Sequence, residues 1–235
     1  MSSFLSHRRK AFRGGGTFDG FGNASRSFDG TNDDITVSDP ANFPTGAQTW
    51  CAWMKTNTVN SANQANILGK NVDTSQRTGR IRLDIANDRI QAFFSTNGSA
   101  LFSVSSSINS INVNTWQHVA VEFSPSTHLK LYIDGVEDGS NTTSIPATIF
   151  DSTAPFCIGS LDNTQQFWDG HIADVRIYDT NIGATQIANL AAGTDYQTNL
   201  VGWYLTDNDD VEDYAGDLGD GTNNGSTYST DSPNL

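Results

Sequence analysis

Thr115-Trp-Gln-His-Val-Ala-Val-Glu-Phe123, Leu129-Lys-Leu-Tyr-Ile-Asp-Gly135 and Phe167-Trp-Asp-Gly-His-Ile-Ala-Asp-Val-Arg-Ile-Tyr-Asp179 decide the fold of this chain. His118 to Phe123 and Leu129 to Ile133 alternate or run apolar and are rich in Val, Ile and Tyr. Ser124-Pro-Ser closes the first run and Asp134-Gly135 closes the second. Short β-branched and aromatic runs bounded by turn residues predict a β-hairpin, and the third stretch predicts a further buried strand.

The rest of the chain agrees. It has 235 residues with 21 glycines, and its acids are 23 Asp against only 3 Glu. Asp favours turns and Glu favours helices, so the acid sits in loops between strands. Turn clusters such as Asn87-Asp88, Asn97-Gly98 and Asp138-Gly-Ser-Asn141 recur at roughly ten-residue spacing. Gly79-Arg-Ile-Arg-Leu-Asp-Ile85 and Arg89-Ile-Gln-Ala-Phe-Phe94 alternate, which predicts one wet and one buried face. Asn181 to Ala192 is the single helical pattern. Asn181 or Gly183 would cap it, Ile187 and Leu190 lie three apart on one face, and Gly193 stops it. No apolar run approaches 18 residues, the length a membrane-spanning helix needs.

Five pieces in order resemble the laminin-G-like, concanavalin A-like lectin/glucanase jelly-roll family. They are the three stretches above, Ser27-Phe-Asp-Gly-Thr-Asn-Asp-Asp-Ile35 as the opening strand and turn, and Thr49-Trp-Cys-Ala-Trp-Met-Lys55 as the second strand. The resemblance covers about residues 26–192 and implies an all-β, two-sheet antiparallel sandwich with one short helix. Residues 26–235 are then one jelly-roll domain, in which 199–235 supply a closing strand and an acidic, Gly/Asn-rich tail. Val211-Glu-Asp-Tyr-Ala-Gly resembles a loop that precedes the opening strand in many relatives, and here it follows the sandwich instead.

Residues 1–25 form a separate basic, Gly-rich arm. Arg8, Arg9, Lys10 and Arg13 precede the first acid, Asp19. Removing these four from 13 cations leaves nine against 26 acids, a balance of −17 for the remaining chain. An acidic body argues against broad nucleic-acid binding. The arm lacks the apolar centre of a secretory signal. It is too polar to fold alone. Its cations and the apolar Phe4, Leu5 and Phe12 are therefore expected to dock on a larger protein assembly, with Gly14 to Gly16 as a hinge.

Chemistry is sparse. The Glu-x-Asp-x-Glu strand of retaining glucanases, which sets two carboxylates on one face of a strand, is absent, and Glu122, Glu137 and Glu212 stand apart. Asp207 and Asp209 sit in an acidic loop that reads as a solvated turn. His7, His118, His128 and His171 lack zinc-ligand spacing, and no nucleophile elbow or phosphate loop occurs. No enzymatic activity is expected. Asp29, Asn32, Asp33 and Asp34 offer the hard oxygen ligands that Ca²⁺ takes. The family resemblance implies a structural Ca²⁺ tying the early turn to a late strand, with Asp29 and Asp174 as ligands; the alternative is Asx turns and surface charge. Cys51 and Cys157 are expected as two buried thiols rather than a disulfide across the sandwich. Trp50, Trp53 and Trp116 are expected in the core, and no aromatic stripe stands out for sugar binding.

Together these readings predict a non-enzymatic structural or binding module. The most specific expectation is a virion surface protein, a capsid decoration (cement) protein or tail adhesin, because the arm loosely resembles short anchors of phage structural proteins. The rivals are a carbohydrate-binding, lectin-like module and a cell-surface adhesion protein. The corresponding partners are capsid or tail subunits, further copies of the chain, or glycans.

Overall fold

The computed structural model describes residues 24–58, 64–72, 74–204 and 211–233. In chain order the strands are β1 (Ser25–Asp29), β2 (Asp34–Val37), β3 (Gln48–Thr56), β4 (Gln64–Val72) and β5 (Gln76–Asp84). They continue with β6 (Arg89–Ser95), β7 (Leu101–Ser105), β8 (Gln117–Ser124), β9 (His128–Ile133) and β10 (Val136–Asn141). Then come β11 (Phe156–Ile158), β12 (Asp169–Tyr178), helix α1 (Gly183–Ala191), β13 (Leu200–Tyr204), β14 (Thr222–Asn224) and β15 (Thr227–Ser229).

These strands build two antiparallel sheets. One runs β10-β9-β8-β3-β12-β1-β15, with β13 also paired to β12; the other runs β14-β2-β11-β4-β5-β6-β7. The expected jelly-roll sandwich is present, with its one helix. The Asp134-Gly135 turn joins β9 to β10 with both residues at positive φ (50° and 80°). That conformation suits the twist of a tight hairpin. The C-terminal strands join both sheets: β14 edges one beside β2, and β15 edges the other beside β1.

The interior is the inner face of each sheet. Trp50 is fully buried at its centre. Its ring meets Phe43 edge-on at 5.4 Å and Phe94 at 4.9 Å, and its Nε1 donates to Gln48 Oε1 at 2.7 Å. Gln48 Nε2 in turn donates to Pro44 O and Gly46 O, both at 3.1 Å. The indole buries a large apolar area while its one polar atom keeps a partner. Strand alternation then sends Cys51, Trp53 and Lys55 to the outer face. Trp53 is therefore in a strand but not between the sheets, and it lies edge-on to His118 at 5.4 Å. Trp116 precedes β8 and is half-buried, contrary to the expectation of a core residue. Its Nε1 donates to Asp231 at 2.9 Å, which no local pattern could announce across 115 residues.

A β-bulge interrupts β12. Between Ala173 and Arg176 the register against β3 shifts, and Asp174 takes φ 48°. Two residues there face one on the partner, so Val175 and Ile177 point inward and Arg176 outward. The bulge also falls where the neighbour on the other side changes, from β1 (ending at Ile172) to β13 (starting at Val175). The freed Arg176 is fully buried and donates from Nε to Asp174 Oδ1 (2.9 Å) and from Nη1 to Asp195 Oδ1 (2.6 Å). Its guanidinium lies 4.5 Å from the Trp203 ring.

Helix α1 covers the outer face of the eight-stranded sheet. Ile182, Ile187 and Leu190 pack on Cys51, Ala120, Tyr132 and Tyr178. Its start is not capped by its own segment, contrary to the expected Asn181 or Gly183: Ile182 occupies the cap position and makes no side-chain cap bond. Glu122, from β8, accepts the Gly183 N–H at 2.7 Å and places a carboxylate at the positive end of the helix. The helix sits so close that a Cβ on Gly135 would lie 2.8 Å from Ala188 Cα.

His118 shares this covered face. Burial, with the Arg176 charge nearby, pushes its imidazole down to about 3. The folded protein thus resists a proton that the unfolded chain takes near 6.5. Stability should be flat above that value. It should then fall by about 1.4 kcal/mol per pH unit as pH drops towards 3. Urea unfolding at pH 7, 6, 5 and 4.5 should show this slope, and His118→Phe should flatten it. Equal slopes for the two proteins would contradict the assignment.

Candidate functional site

The seven-stranded sheet presents its outer face differently. Its strand registers align Thr36, Cys157, Gly69, Arg80, Phe93 and Ser103 as one row across β2, β11, β4, β5, β6 and β7. A second row aligns Asn66, Arg82, Gln91 and Ser105. Ile81, Leu83, Ala92 and Phe94 fill the core from the same strands, so alternation forces their neighbours outward. Arg80, Arg82, Gln91 and Phe93 are half-buried, and Leu101 and Ser103 are exposed.

Phe93 is the centre of this face. The Arg80 guanidinium lies 5.2 Å from its ring centroid and that of Arg82 lies 4.5 Å away. Each such contact is worth about 0.5–1 kcal/mol at a solvated site. Glutamines hold both arginines. Arg80 Nη1 donates to Gln166 Oε1 at 3.1 Å. Arg82 donates from Nη2 and Nε to Gln91 Oε1 at 2.7 and 3.2 Å, and from Nη1 to Gln64 Oε1. On the other side of Arg80 the floor is Gly69, where a Cβ would lie 2.7 Å from Arg80 Cβ. A larger residue there would displace the arginine. Beside the ring, Asn71, Arg77, Gly79, Arg80, Phe93 and Leu101 line a pocket of ≈ 60 Å³. Burial pushes Arg80 down to about 10, helped by the neighbouring charges of Arg82 and Arg77. Burial lowers Arg82 as well.

The residues expected to act are not among the described residues of this face. Phe4, Leu5, Arg8, Arg9, Lys10, Phe12 and Arg13, and also Asp207 and Asp209, fall outside the described residues. Asp29 and Asp174 are not brought together. Asp29 pairs with Asp169, and Asp174 lies five positions further along β12, roughly 17 Å away at about 3.4 Å per residue. Asp29 Oδ1 accepts the Thr31 and Asn32 N–H groups (2.8 and 3.3 Å), an Asx turn, while Asp174 neutralises Arg176 and accepts Trp203 Nε1 at 2.7 Å. The pair does not fit one Ca²⁺ ion. Among the described residues no group of three or more His, Cys, Asp or Glu side chains is arranged to hold a metal. Glu122 serves the helix start and His128 (2.9 Å), and Glu137 pairs with Lys130 at 2.8 Å.

Residues 29–188 match the concanavalin A-like lectin/glucanases superfamily, in its laminin-G-like branch. The chain belongs to this family. No curated protein sequence matches it. Among solved structures, a candidate carbohydrate-binding protein from Bacteroides ovatus superposes with a TM-score of 0.70 at 18% identity, covering 92% of this chain and 61% of that one. The chain thus spans less than two thirds of that protein. A heptameric pentraxin from Limulus polyphemus superposes at 0.61 and 16% identity, covering 88% and 94%. A botulinum neurotoxin binding domain solved in complex with SialylT superposes at 0.50 and 15% identity, covering 65% and 36%. At these identities the likenesses speak to fold.

The laminin-G-like sandwich also fixes both thiols. Trp50 and Ala52 face the core from one sheet, and Phe156 and Ile158 face it from the other. Cys51 and Cys157 therefore point away from each other on opposite outer faces, and both are free and buried. Sheets packed ≈ 10 Å apart leave them beyond disulfide reach. Burial pushes each thiol up to about 12. In the native protein at pH 8 neither should react with a disulfide reagent such as DTNB, and both should react in denaturant. A full equivalent of fast native reactivity would contradict this burial.

Proposed function

We propose that the chain is a non-enzymatic glycan-binding module whose ligand face is the outer surface of the seven-stranded sheet. The observation that carries this reading is the Phe93 ring with two guanidinium groups beside it, at 5.2 and 4.5 Å, in a row of small and polar side chains. A sugar needs a flat apolar surface for its C–H face and fixed polar groups for its hydroxyls. Phe93 and Leu101 supply the first. Arg80, Arg82, Gln64, Gln91 and Gln166 supply the second, held by one another before any ligand arrives. Family membership and the fold shared with a candidate carbohydrate-binding protein support the same reading. The separate employment of the glutamates favours binding over hydrolysis.

Glycan-array screening followed by calorimetry tests the reading. The protein should bind a set of saccharides, and Phe93→Ala should weaken binding tenfold or more, as loss of a central aromatic anchor does. Lys130→Ala, on the other sheet, should not. An array without any bound glycan would overturn the proposal.

The basic arm supports a second, separate role. Four cations and three large apolar side chains in the first 13 residues suit docking on a larger protein assembly, of which a virion surface is one kind. Deleting residues 1–16 should leave a folded domain that no longer joins such an assembly. Normal incorporation of the truncated protein would place the docking elsewhere.

A further inference from the structure

From the distribution and pairing of the arginines we infer that this face selects anionic glycans, and that Arg80, beside the Phe93 pocket, receives the ligand's carboxylate or sulfate group. The inference rests on the glycan-binding reading and narrows it to a substrate class.

Charge placement is the first support. The body from Arg26 onward carries nine cations against 25 acids, yet four of the nine, Arg77, Arg80, Arg82 and Arg89, lie on β5 and at the start of β6. In so acidic a chain, scattered cations would each find a carboxylate. Arg89 does, at 3.0 Å from Asp84. Arg80 does not: its hydrogen-bond partner among the described residues is the amide oxygen of Gln166, whereas Arg82, held by the amide oxygens of Gln64 and Gln91, also has the Asp84 charge near it. An amide oxygen aims a guanidinium without neutralising it.

Arg176 shows the opposite design within the same protein. It is more deeply buried, and Asp174 and Asp195 clamp it at 2.9 and 2.6 Å, which satisfies its charge internally. Its counterpart Arg80 keeps an uncompensated charge next to Arg82 and Arg77, and sits below the usual arginine range for that reason as well as burial.

Geometry is the second support. Arg80 uses Nη1 on Gln166, which leaves Nε and Nη2 without a partner among the described residues. Those two N–H groups form one side of the guanidinium fork, the side that matches the two oxygens of a carboxylate or sulfate. The ≈ 60 Å³ pocket lined by Arg80, Arg77 and Phe93 lies where such a group can enter beside the ring. The ring would lie over Phe93 towards the exposed Leu101, with its acid dipping into the pocket. Arg82, with its fork occupied by Gln64 and Gln91, supplies field rather than contact.

Matched oligosaccharides test this: one neutral backbone, the same backbone carrying a uronate or sialate carboxylate, and the same backbone carrying a sulfate, titrated calorimetrically into the full chain. The anionic forms should bind at least tenfold more tightly than the neutral form, and raising salt from 50 to 500 mM should erode that advantage. Comparing the carboxylated and sulfated arms identifies the anion. Arg80→Gln should weaken the anionic forms far more than the neutral form and so abolish the preference, and Arg80→Lys should keep part of it. Phe93→Ala should weaken all forms together. If the neutral form binds as tightly as the anionic ones, the inference falls while the glycan reading stands. If none of the three saccharides binds and the array is empty, the glycan reading itself falls. A single-stranded oligonucleotide that displaces the anionic glycan and binds more tightly would also overturn it. Should Arg80→Gln fail to fold, the salt dependence of the wild-type preference decides: a preference insensitive to salt contradicts a role for the arginine charge.

Discussion

Burying Trp50 between the two sheets fixes which side of every strand faces outward. Its indole can give up water because Gln48 accepts its one N–H, and Phe43 and Phe94 close on its faces. Once Trp50 points inward, period-two alternation leaves no freedom on its sheet. Cys51, Trp53 and Lys55 must face the other way, and the paired strands must follow in register. Across the core the same constraint, met through Ile81 and Phe94, turns Arg80, Arg82 and Phe93 outward. The proposed ligand face is in this sense a by-product of core packing.

The two outer faces then meet different fates. On the eight-stranded sheet the helix packs on Cys51, Ala120, Tyr132 and Tyr178, Glu122 meets the helix start, and Asp174 and Asp195 neutralise Arg176. The bulge at Asp174 makes this possible, since without it Arg176 would point into the core. On the seven-stranded sheet glutamines and glycine take the places where carboxylates and bulk would otherwise stand. A guanidinium held by amides stays charged and aimed. That arrangement has a cost in an isolated domain, which the proposed anionic ligand would offset. On the proposed reading, stability and binding are divided between the sheets.

Much of the architecture was legible in the sequence. The strand patterns around His118, Leu129 and Ile172, the Asp134-Gly135 turn and the helix after Asn181 rest on local chemistry, and local chemistry decided them. The proposed ligand face was only half legible. Alternation in Gly79–Ile85 and Arg89–Phe94 announced a wet face, but not its neighbours. Gly69, Arg80 and Phe93 meet because of inter-strand register, and in β4 a bulge between Asn66 and Leu68 shifts that register. No reading of one strand at a time can supply that offset. The same gap explains Asp29 and Asp174: both acids occur where expected, but β1 pairs with β12 five residues away from Asp174. The helix cap was missed for a like reason, because Glu122 lies 61 residues before the N–H it accepts.

The central claim is spatial: ligand meets the outer face of the seven-stranded sheet. Titrating ¹⁵N-labelled protein with a carboxylated oligosaccharide and following amide shifts tests it most directly. The account predicts that the largest shifts cluster at Gly69, Arg80, Phe93 and Ser103, with side-chain signals of Gln91 and Gln166 moving alongside. Shifts confined to the turn of residues 29–34 and its neighbour Asp169, with the β5–β6 rows silent, would contradict it.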